Sequence, residues 1–334
     1  TANVPLSTGI NFVQVDVYVD DLKTNSQTVQ IIRTSTGDSG SNPEQPGSSG
    51  GSSGTTPTPP MKPERLNVVK STAENGQQLV DAKADLSRML EEIKSLHAKP
   101  VQSQQLQYRF TDTADVLTLH LPTEGLEAAV KELPNGVIWL ESPLGKLELP
   151  VQALGEALQQ RGSADSLQIR LGIPAEAQEE ELHRLLPDQA EPFGSLLEVS
   201  FFWEQGDTLT TLSVFKGAEV KFTTVPLAGA VSADTVTVLL LQPSAGNYTF
   251  VPALIREEGG KAQITFRLKA SGIYAAVVHR KTFTDLNGHW AANEVTMLAS
   301  KTIIQGTSDK EFSPNAPVTR AEFTAMLVRA LGLT

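Results

Sequence analysis

The sequence predicts a multidomain α+β protein, with a mostly antiparallel β middle domain followed by a small α-helical helix–loop–helix unit. Three observations lead to this class. Many short stretches of strand-forming residues, separated by turn signals, fill the region from Leu196 to about 280. Shorter blocks with helical spacing of apolar residues come before it. A Gly/Ser/Pro/Thr-rich run at 34–64 and a change of pattern at 283 mark the domain limits.

Composition excludes several functional classes. The chain has 334 residues, a formal net charge of −11 and no cysteine. The acidic balance disfavours nucleic acid and anionic membranes as partners, and the lack of cysteine rules out disulfides and cysteine-ligated zinc. No apolar run approaches the roughly 20 residues that cross a bilayer, so we predict no membrane insertion. Because no metal-binding, phosphate-binding or nucleophile motif occurs, we predict no cofactor, no metal and no catalytic residue.

The first 64 residues divide into two parts. Residues 1–33 contain FVQVDVYV and TVQIIR around an Asp/Asn turn, which predicts a β-hairpin, the remnant of an upstream β-domain. Residues 34–64 read as a linker, flexible in its Gly/Ser half and stiffer in its Pro/Thr half. Neither an initiator Met nor a signal peptide opens the chain, so we expect a leader to have been removed or truncated.

Residues 65–280 are predicted to form one β-rich α+β spacer domain. Apolar spacing predicts a helix from Gln77 to Leu96, and shorter helices are expected at 123–132, 150–160 and 176–186. Strands are predicted at LQYRF, VLTLHL, GVIWLE and GKLELP, and the pattern is almost wholly β from Leu196 onward. The stretch EEGGKA predicts a tight hairpin turn.

Residues 283–334 predict two helices joined by a loop with Gly, Asp and Pro punctuation. The second helix carries an apolar stripe at helical spacing, formed by Phe323, Met326, Leu327, Ala330 and Leu331. Because so small a unit buries little surface alone, we expect it to need neighbours of its own kind.

The start of this last helix, PVTRAEFTAML, contains one residue that does not fit. Thr319 and Glu322 have the spacing of a capping box, and Val318 and Phe323 are placed for a hydrophobic staple. Arg320, however, puts a cation in the first turn, where the helix dipole favours anions. Either Arg320 extends into solvent or an anion completes a site there.

The C-terminal region resembles the S-layer homology module of bacterial cell-envelope proteins. Four segments in order carry the likeness: FTDLNGHWAANEV, TIIQG, EFSPNAPVTRAEF and ALGL. The preceding domain more loosely resembles the β-rich segment found before such modules in exported proteins of Gram-positive bacteria, through GKLELPVQAL and YTFVPALI.

This resemblance implies non-covalent anchoring of an exported protein at the cell wall or S-layer surface. The implied partner is secondary cell wall polymer, a peptidoglycan-linked polysaccharide that commonly presents a pyruvylated amino sugar. Family modules typically occur three in a row with ligand grooves between them, so the resemblance implies further repeats in cis beyond Thr334. An alternative is association of single modules between chains.

The resemblance also assigns residues. Arg320 corresponds to the arginine that contacts the anionic ligand. Trp290 either lines the groove or anchors the first helix, and Gly306 either needs a positive φ or lets ligand approach the backbone. Asp285 is a candidate ligand residue or a helix cap. The expected structural residues are Thr319, Glu322, Phe323 and Phe283.

One position departs from the family pattern. Thr302 replaces the first glycine of G-I-I-x-G, and a β-branched residue disfavours positive φ, so we expect the first helix to end differently here. Two other functions remain open: a cell-surface carbohydrate-active enzyme fragment, or a structural S-layer assembly protein.

Overall fold

The computed structural model describes residues 9–19, 22–33, 65–212, 215, 219–229 and 231–332. Its strands are β1 (Gly9–Val19), β2 (Leu22–Arg33), β3 (Leu66–Thr72), β4 (Gln78–Ala84), β5 (Gln105–Arg109), β6 (Val116–Pro122), β7 (Val137–Ser142), β8 (Gly145–Pro150), β9 (Ser166–Gly172), β10 (Glu191–Pro192), β11 (Leu197–Gln205), β12 (Thr208–Thr211), β13 (Lys221–Thr224), β14 (Leu227–Ala228), β15 (Val236–Gln242), β16 (Asn247–Val251), β17 (Ala253–Glu258), β18 (Lys261–Arg267) and β19 (Gly272–Val278). Its α-helices are α1 (Leu86–His97), α2 (Thr123–Glu132), α3 (Val151–Gln159), α4 (Glu176–His183), α5 (Ala292–Ser300) and α6 (Arg320–Leu331). None of the helices in these ranges has the length and apolar character to cross a bilayer.

The first predicted hairpin is present, since β1 and β2 pair antiparallel. Its interpretation as a remnant of an upstream domain stays a prediction. The predicted linker, 34–64, lies outside the described residues.

The middle domain contains two sheets that are mostly antiparallel, which confirms the predicted class. The larger sheet has ten strands in the order β16-β15-β19-β11-β9-β6-β4-β3, with β10 on β19 and β12 on β11. The smaller sheet has seven strands in the order β14-β18-β13-β8-β7-β5, with β17 on β18. Two pairs among the described strands, β4–β6 and β5–β7, are parallel.

One apolar core joins both sheets to α1, α2 and α3. Fully buried leucines from each part show this: Leu119 in the larger sheet, Leu140 in the smaller one, and Leu154 on α3. Because successive strand residues face opposite sides, Thr118 and His120 of β6 project to the other face of the larger sheet. Burial of the apolar face supplies the main stabilisation of the domain.

The helix predicted from Gln77 to Leu96 is wrong over its first part. Residues Gln78–Ala84 form β4, which pairs with β3 on one side and β6 on the other. Helix α1 begins only after Asp85, whose carboxylate accepts a hydrogen bond from the Arg88 N–H at 2.9 Å. Pairing with the neighbouring strand β3 and the distant strand β6 therefore outweighs the local helical spacing. The helices predicted at 123–132, 150–160 and 176–186 are confirmed as α2, α3 and α4, with α4 ending at His183.

The predicted hairpin turn at EEGGKA is also confirmed. Glu258 of β17 pairs directly with Lys261 of β18, which leaves Gly259 and Gly260 as the two turn residues. Both have positive φ, 58° and 72°. Two-residue hairpin loops with positive φ at both positions match the twist of the flanking strands, and glycine adopts this conformation without steric cost.

The C-terminal unit is a helix–loop–helix repeat, as predicted. Its small core contains the buried residues Phe283, Leu286, Val295, Ala299, Ile303 and Ile304. On α6, Met326 and Ala330 pack partly against this core. The other members of the predicted apolar stripe, Phe323, Leu327 and Leu331, are exposed, and so is Val318, the proposed staple partner of Phe323. Within the described residues, only part of the apolar face of α6 is therefore covered.

The repeat packs directly against the middle domain. Lys301, just after α5, donates from Nζ to the carbonyls of Ala233 and Val236 at 2.8 and 3.0 Å. Burial lowers the pKa of Lys301. Phe250, on the edge strand β16, packs against the core of the repeat. One neighbour of the repeat is thus a sheet edge rather than a second repeat.

Thr302 adopts a left-handed conformation, with φ of 59°, two residues after the end of α5. The expectation that the helix would end differently because of this threonine is wrong. The turn therefore holds a β-branched residue in the left-handed backbone conformation, which costs about 1–2 kcal/mol for residues with a side chain.

Replacing Thr302 by glycine should therefore stabilise the repeat. Relief of the left-handed strain outweighs the greater freedom of glycine in the unfolded chain, which leaves a gain of up to about 1 kcal/mol. Chemical denaturation of both proteins tests this expectation. As a control, Thr324→Gly within α6 should act in the opposite direction, because glycine weakens a helix interior by about 1 kcal/mol. A loss of stability in Thr302→Gly would contradict the strain argument.

Candidate ligand-binding site

The N-terminus of α6 is fixed by a complete capping box. The Glu322 N–H donates to Thr319 Oγ1 at 3.2 Å, and the Thr319 N–H donates to Glu322 Oε2 at 2.8 Å. Hydrogen bonds from the backbone and then the side chain of Thr319 lower the pKa of the Glu322 carboxyl. The first turn of α6 is therefore held in one geometry by its own residues.

Arg320 is the first residue of α6 and is exposed to solvent. No residue of the described part of the chain forms a hydrogen bond or an ion pair with its guanidinium. The backbone N–H groups at a helix start have no intrahelical partners, and the capping box occupies that of Glu322. The guanidinium and the N–H groups of Arg320 and Ala321 are thus available to an anion.

Trp290 lies just before α5 and is 87% exposed. Its ring centroid is 5.6 Å from that of His289. So exposed a ring does not anchor the first helix, a role that the buried Leu286 and Val295 fill instead. The exposure of Trp290 disagrees with the anchoring role and leaves its aromatic ring accessible to a ligand.

Asp285 stabilises the loop before α6 through hydrogen bonds to its backbone. Its carboxylate accepts hydrogen bonds from the Phe312 N–H at 3.0 Å and from the Ser313 N–H at 2.7 Å. These bonds, first that from Phe312, lower the pKa of Asp285. The predicted helix cap is not formed, because the N-cap of α5 is Ala291, which makes no side-chain bond. The buried Phe283 supports the same loop, with its ring centroid 5.6 Å from that of Phe312.

Gly306 is required for close packing rather than for a positive φ. It is absent from the glycines with left-handed φ among the described residues. A Cβ at this position would lie 2.5 Å from the carbonyl oxygens of Ser308 and Glu311 and would overlap the ring of Phe283. The turn that brings the loop back over the core therefore has no space for a side chain.

Gly306→Ala should accordingly destabilise the repeat by roughly 1–3 kcal/mol, the usual cost of overpacking. Two of the clashing atoms belong to the backbone, which cannot move without disturbing the loop. Urea denaturation followed by the NMR signals of the repeat measures the effect. Gly288→Ala is a useful comparison, since no atom lies within 4 Å of the Cβ it would add, although its φ of 76° adds backbone strain. Equal stability of Gly306→Ala and the unmodified protein would contradict the packing argument.

Residues 282–324 match the family model of the S-layer homology domain. The chain thus carries an S-layer homology domain after its β-rich middle domain. The matched range contains Arg320, Trp290, Gly306 and Asp285. No solved structure matches the chain.

Curated relatives share parts of the chain. An amylopullulanase of Thermoanaerobacterium thermosulfurigenes is 37% identical over 98 residues, which is 29% of this chain and 5% of that protein. An exoglucanase of Acetivibrio thermocellus is 28% identical over 140 residues, 42% of this chain and 12% of that protein. A cellulosome-anchoring protein of the same species is 32% identical over 85 residues, 25% of this chain and 19% of that protein. The chain spans less than a fifth of the length of these relatives. The domain and the relatives together support a location at the cell surface or cell wall.

Proposed function

We propose that the S-layer homology domain holds the chain on the bacterial cell wall by binding an anionic saccharide of the secondary cell wall polymer. The observation that carries this proposal is the exposed Arg320 guanidinium at the start of α6, which has no partner among the described residues. A cation is unfavourable at this helix position by itself and favourable once an anion is bound.

The chemistry suits a pyruvylated amino sugar. A ketal-linked pyruvate presents a carboxylate, which a guanidinium binds through two parallel hydrogen bonds. The free N–H groups of the first turn add donors and partial positive charge. The exposed ring of Trp290 offers a surface on which a sugar face can stack. Asp285 and Gly306 act on the ligand indirectly, by shaping the loop before α6.

The remaining regions take supporting roles in this proposal. Residues 65–280 act as a spacer, 34–64 as a linker and 1–33 as part of an upstream unit. A second candidate is that the chain is the attachment part of a surface enzyme that degrades polysaccharides. The names of two relatives, an amylopullulanase and an exoglucanase, favour this version, which requires the same anchoring.

Binding to purified secondary cell wall polymer tests the proposal. The polymer is immobilised either intact or after mild acid has removed its pyruvate, and the full chain is passed over both surfaces. We expect saturable binding to the intact polymer and at least tenfold weaker binding after pyruvate removal, since a charge-assisted hydrogen bond contributes about 1.5–3 kcal/mol. Equal binding to both surfaces would overturn recognition of the carboxylate.

A further inference from the structure

A cleft lies where the repeat meets the middle domain. It has a volume of about 420 Å³, within the range of small-molecule sites. Asp188, Tyr248 and His279 of the middle domain line one side. Gln305 and Asp309, in the loop after α5, line the other side. Three of these residues lie outside the matched domain, so this cleft belongs to the junction and not to the repeat alone.

Several polar side chains of this cleft lack a hydrogen-bond partner in the described part of the chain. Among the described residues, the side chains of Asp188, Tyr248, Gln305 and Asp309 have no hydrogen-bond partner. His279 is only 5% exposed. Its Nδ1 donates to the Ser300 carbonyl at 2.9 Å, which leaves Nε2 without a partner in the described structure. Asp188, Gln305 and Asp309 are exposed and can bond to water, but the imidazole of His279 is buried. A buried ring nitrogen without a protein partner is expected where a polar ligand or water supplies that partner.

The walls of the cleft are fixed before any ligand binds. The bond from His279 to Ser300 joins them at the back, and Lys301 bonds to carbonyls of the middle domain close by. Burial, and next the nearby Asp188 carboxylate, raise the pKa of the Tyr248 hydroxyl, so Tyr248 stays a neutral donor at physiological pH. A preformed site avoids the entropic cost of ordering its walls on binding.

The charges disfavour a strongly anionic ligand. Two carboxylates, Asp188 and Asp309, line the cleft, against the single amino group of Lys281. Carboxylates accept hydrogen bonds from hydroxyl groups, while Gln305 and Lys281 donate to ring and hydroxyl oxygens. The half-buried ring of Tyr248 adds an aromatic surface. This mixture complements a ligand that carries hydroxyl donors and acceptors around an apolar ring.

We propose that the cleft binds an uncharged, hydroxyl-rich sugar residue, a hexose or an N-acetylhexosamine, of the wall glycan. The proposal rests on the proposed function, in that anchoring brings this junction against the wall. It adds a second contact of different chemistry from the anion site at Arg320. Two linked contacts on one polymer strengthen attachment more than either alone.

Saturation-transfer NMR with the full chain tests the cleft. The probes are N-acetylglucosamine, N-acetylmannosamine and glucose, with glucose 6-phosphate as the anionic comparison. We expect the uncharged sugars to bind at millimolar concentration. The double variant Tyr248→Phe/Asp309→Asn should weaken this binding about tenfold, the effect of losing one or two hydrogen bonds. Asp207→Asn, in an exposed turn outside the cleft, is the matched control and should bind as the unmodified protein does.

The outcomes separate this proposal from the proposed function. Sugar binding that persists in Arg320→Ala and falls in the cleft variant supports a distinct site. A chain that binds pyruvylated polymer but none of the uncharged sugars overturns the cleft proposal and leaves anchoring intact. Sugar binding in the cleft without binding to the polymer overturns anchoring instead. A preference for glucose 6-phosphate over the uncharged sugars would contradict the assigned ligand class.

Discussion

Replacing Arg320 by alanine should weaken binding to pyruvylated wall polymer by roughly ten- to a hundredfold, because charge-assisted hydrogen bonds contribute about 1.5–3 kcal/mol. The same change should leave the stability of the repeat unchanged or slightly higher. Arg320 makes no ion pair with the described residues, and a cation in the first turn of a helix is unfavourable. Weaker binding without loss of stability is the signature of a ligand-binding residue.

Two further variants sharpen this prediction. Arg320→Lys keeps the charge but loses the planar pair of donors, so its affinity should lie between those of the alanine variant and the unmodified protein. Arg256→Ala removes an exposed arginine on β17 and should not affect binding. Affinity for the polymer is measured by surface plasmon resonance and stability by thermal unfolding. Unchanged affinity in Arg320→Ala would show that Arg320 is an ordinary surface residue.

The second large effect concerns His120, which lies between two carboxylates on the outer face of the larger sheet. Its Nε2 is 2.9 Å from Asp81 and its Nδ1 is 2.6 Å from Glu204. Ser166 donates to the same Glu204 oxygen at 2.5 Å. Burial alone would lower the pKa of His120, but the hydrogen bonds and charges of Asp81 and Glu204 outweigh it and raise the pKa to about 9.

We therefore expect the middle domain to lose stability as the pH rises from 6.5 to 9. A group whose pKa is raised by folding stabilises the native state fully below its unfolded pKa, here 6.5. That contribution disappears as the pH passes the folded value of about 9. With about 1.4 kcal/mol for each pH unit, the change amounts to roughly 3 kcal/mol.

Two measurements check this pH dependence. NMR titration of the His120 ring should give a pKa near 9, and urea unfolding at pH 6.5 and 9 should show the loss of stability. In His120→Gln the free energy of unfolding should depend much less on pH over this range. His183→Gln, on the surface of α4, should keep the dependence of the unmodified protein. A His120 pKa near 6.5 would contradict the predicted charge on the imidazole.

The helix–loop–helix repeat could be predicted because its signals are local. The capping box at Thr319 and Glu322, the loop residues before α6 and the apolar spacing all lie within a few residues of one another. The strand β4 could not be predicted in this way. Its partners, β3 and β6, include a parallel neighbour more than thirty residues away, and local spacing contains no information about that pairing.

The junction cleft and the His120 cluster could not be predicted for the same reason, because their residues are far apart in the sequence. Asp188, Tyr248 and His279 come from three separate parts of the chain, and each looks unremarkable in its own stretch of sequence. In the sequence, His120 is a histidine between two leucines, and nothing near it indicates a carboxylate partner. Glu204 comes close to it only because β6 pairs with β9 and β9 pairs with β11. Charged residues at alternate positions of neighbouring strands were the available signal, but using it requires the strand order.

Attachment to the cell wall is tested most directly by co-sedimentation of the full chain with purified cell-wall sacculi. Sacculi are used intact and after chemical removal of the secondary polymer, each with the unmodified protein and with Arg320→Ala. We predict that the unmodified protein pellets with intact sacculi, that Arg320→Ala pellets less, and that neither pellets strongly with stripped sacculi. Absence of pelleting with intact sacculi, or equal pelleting with stripped ones, would contradict this prediction.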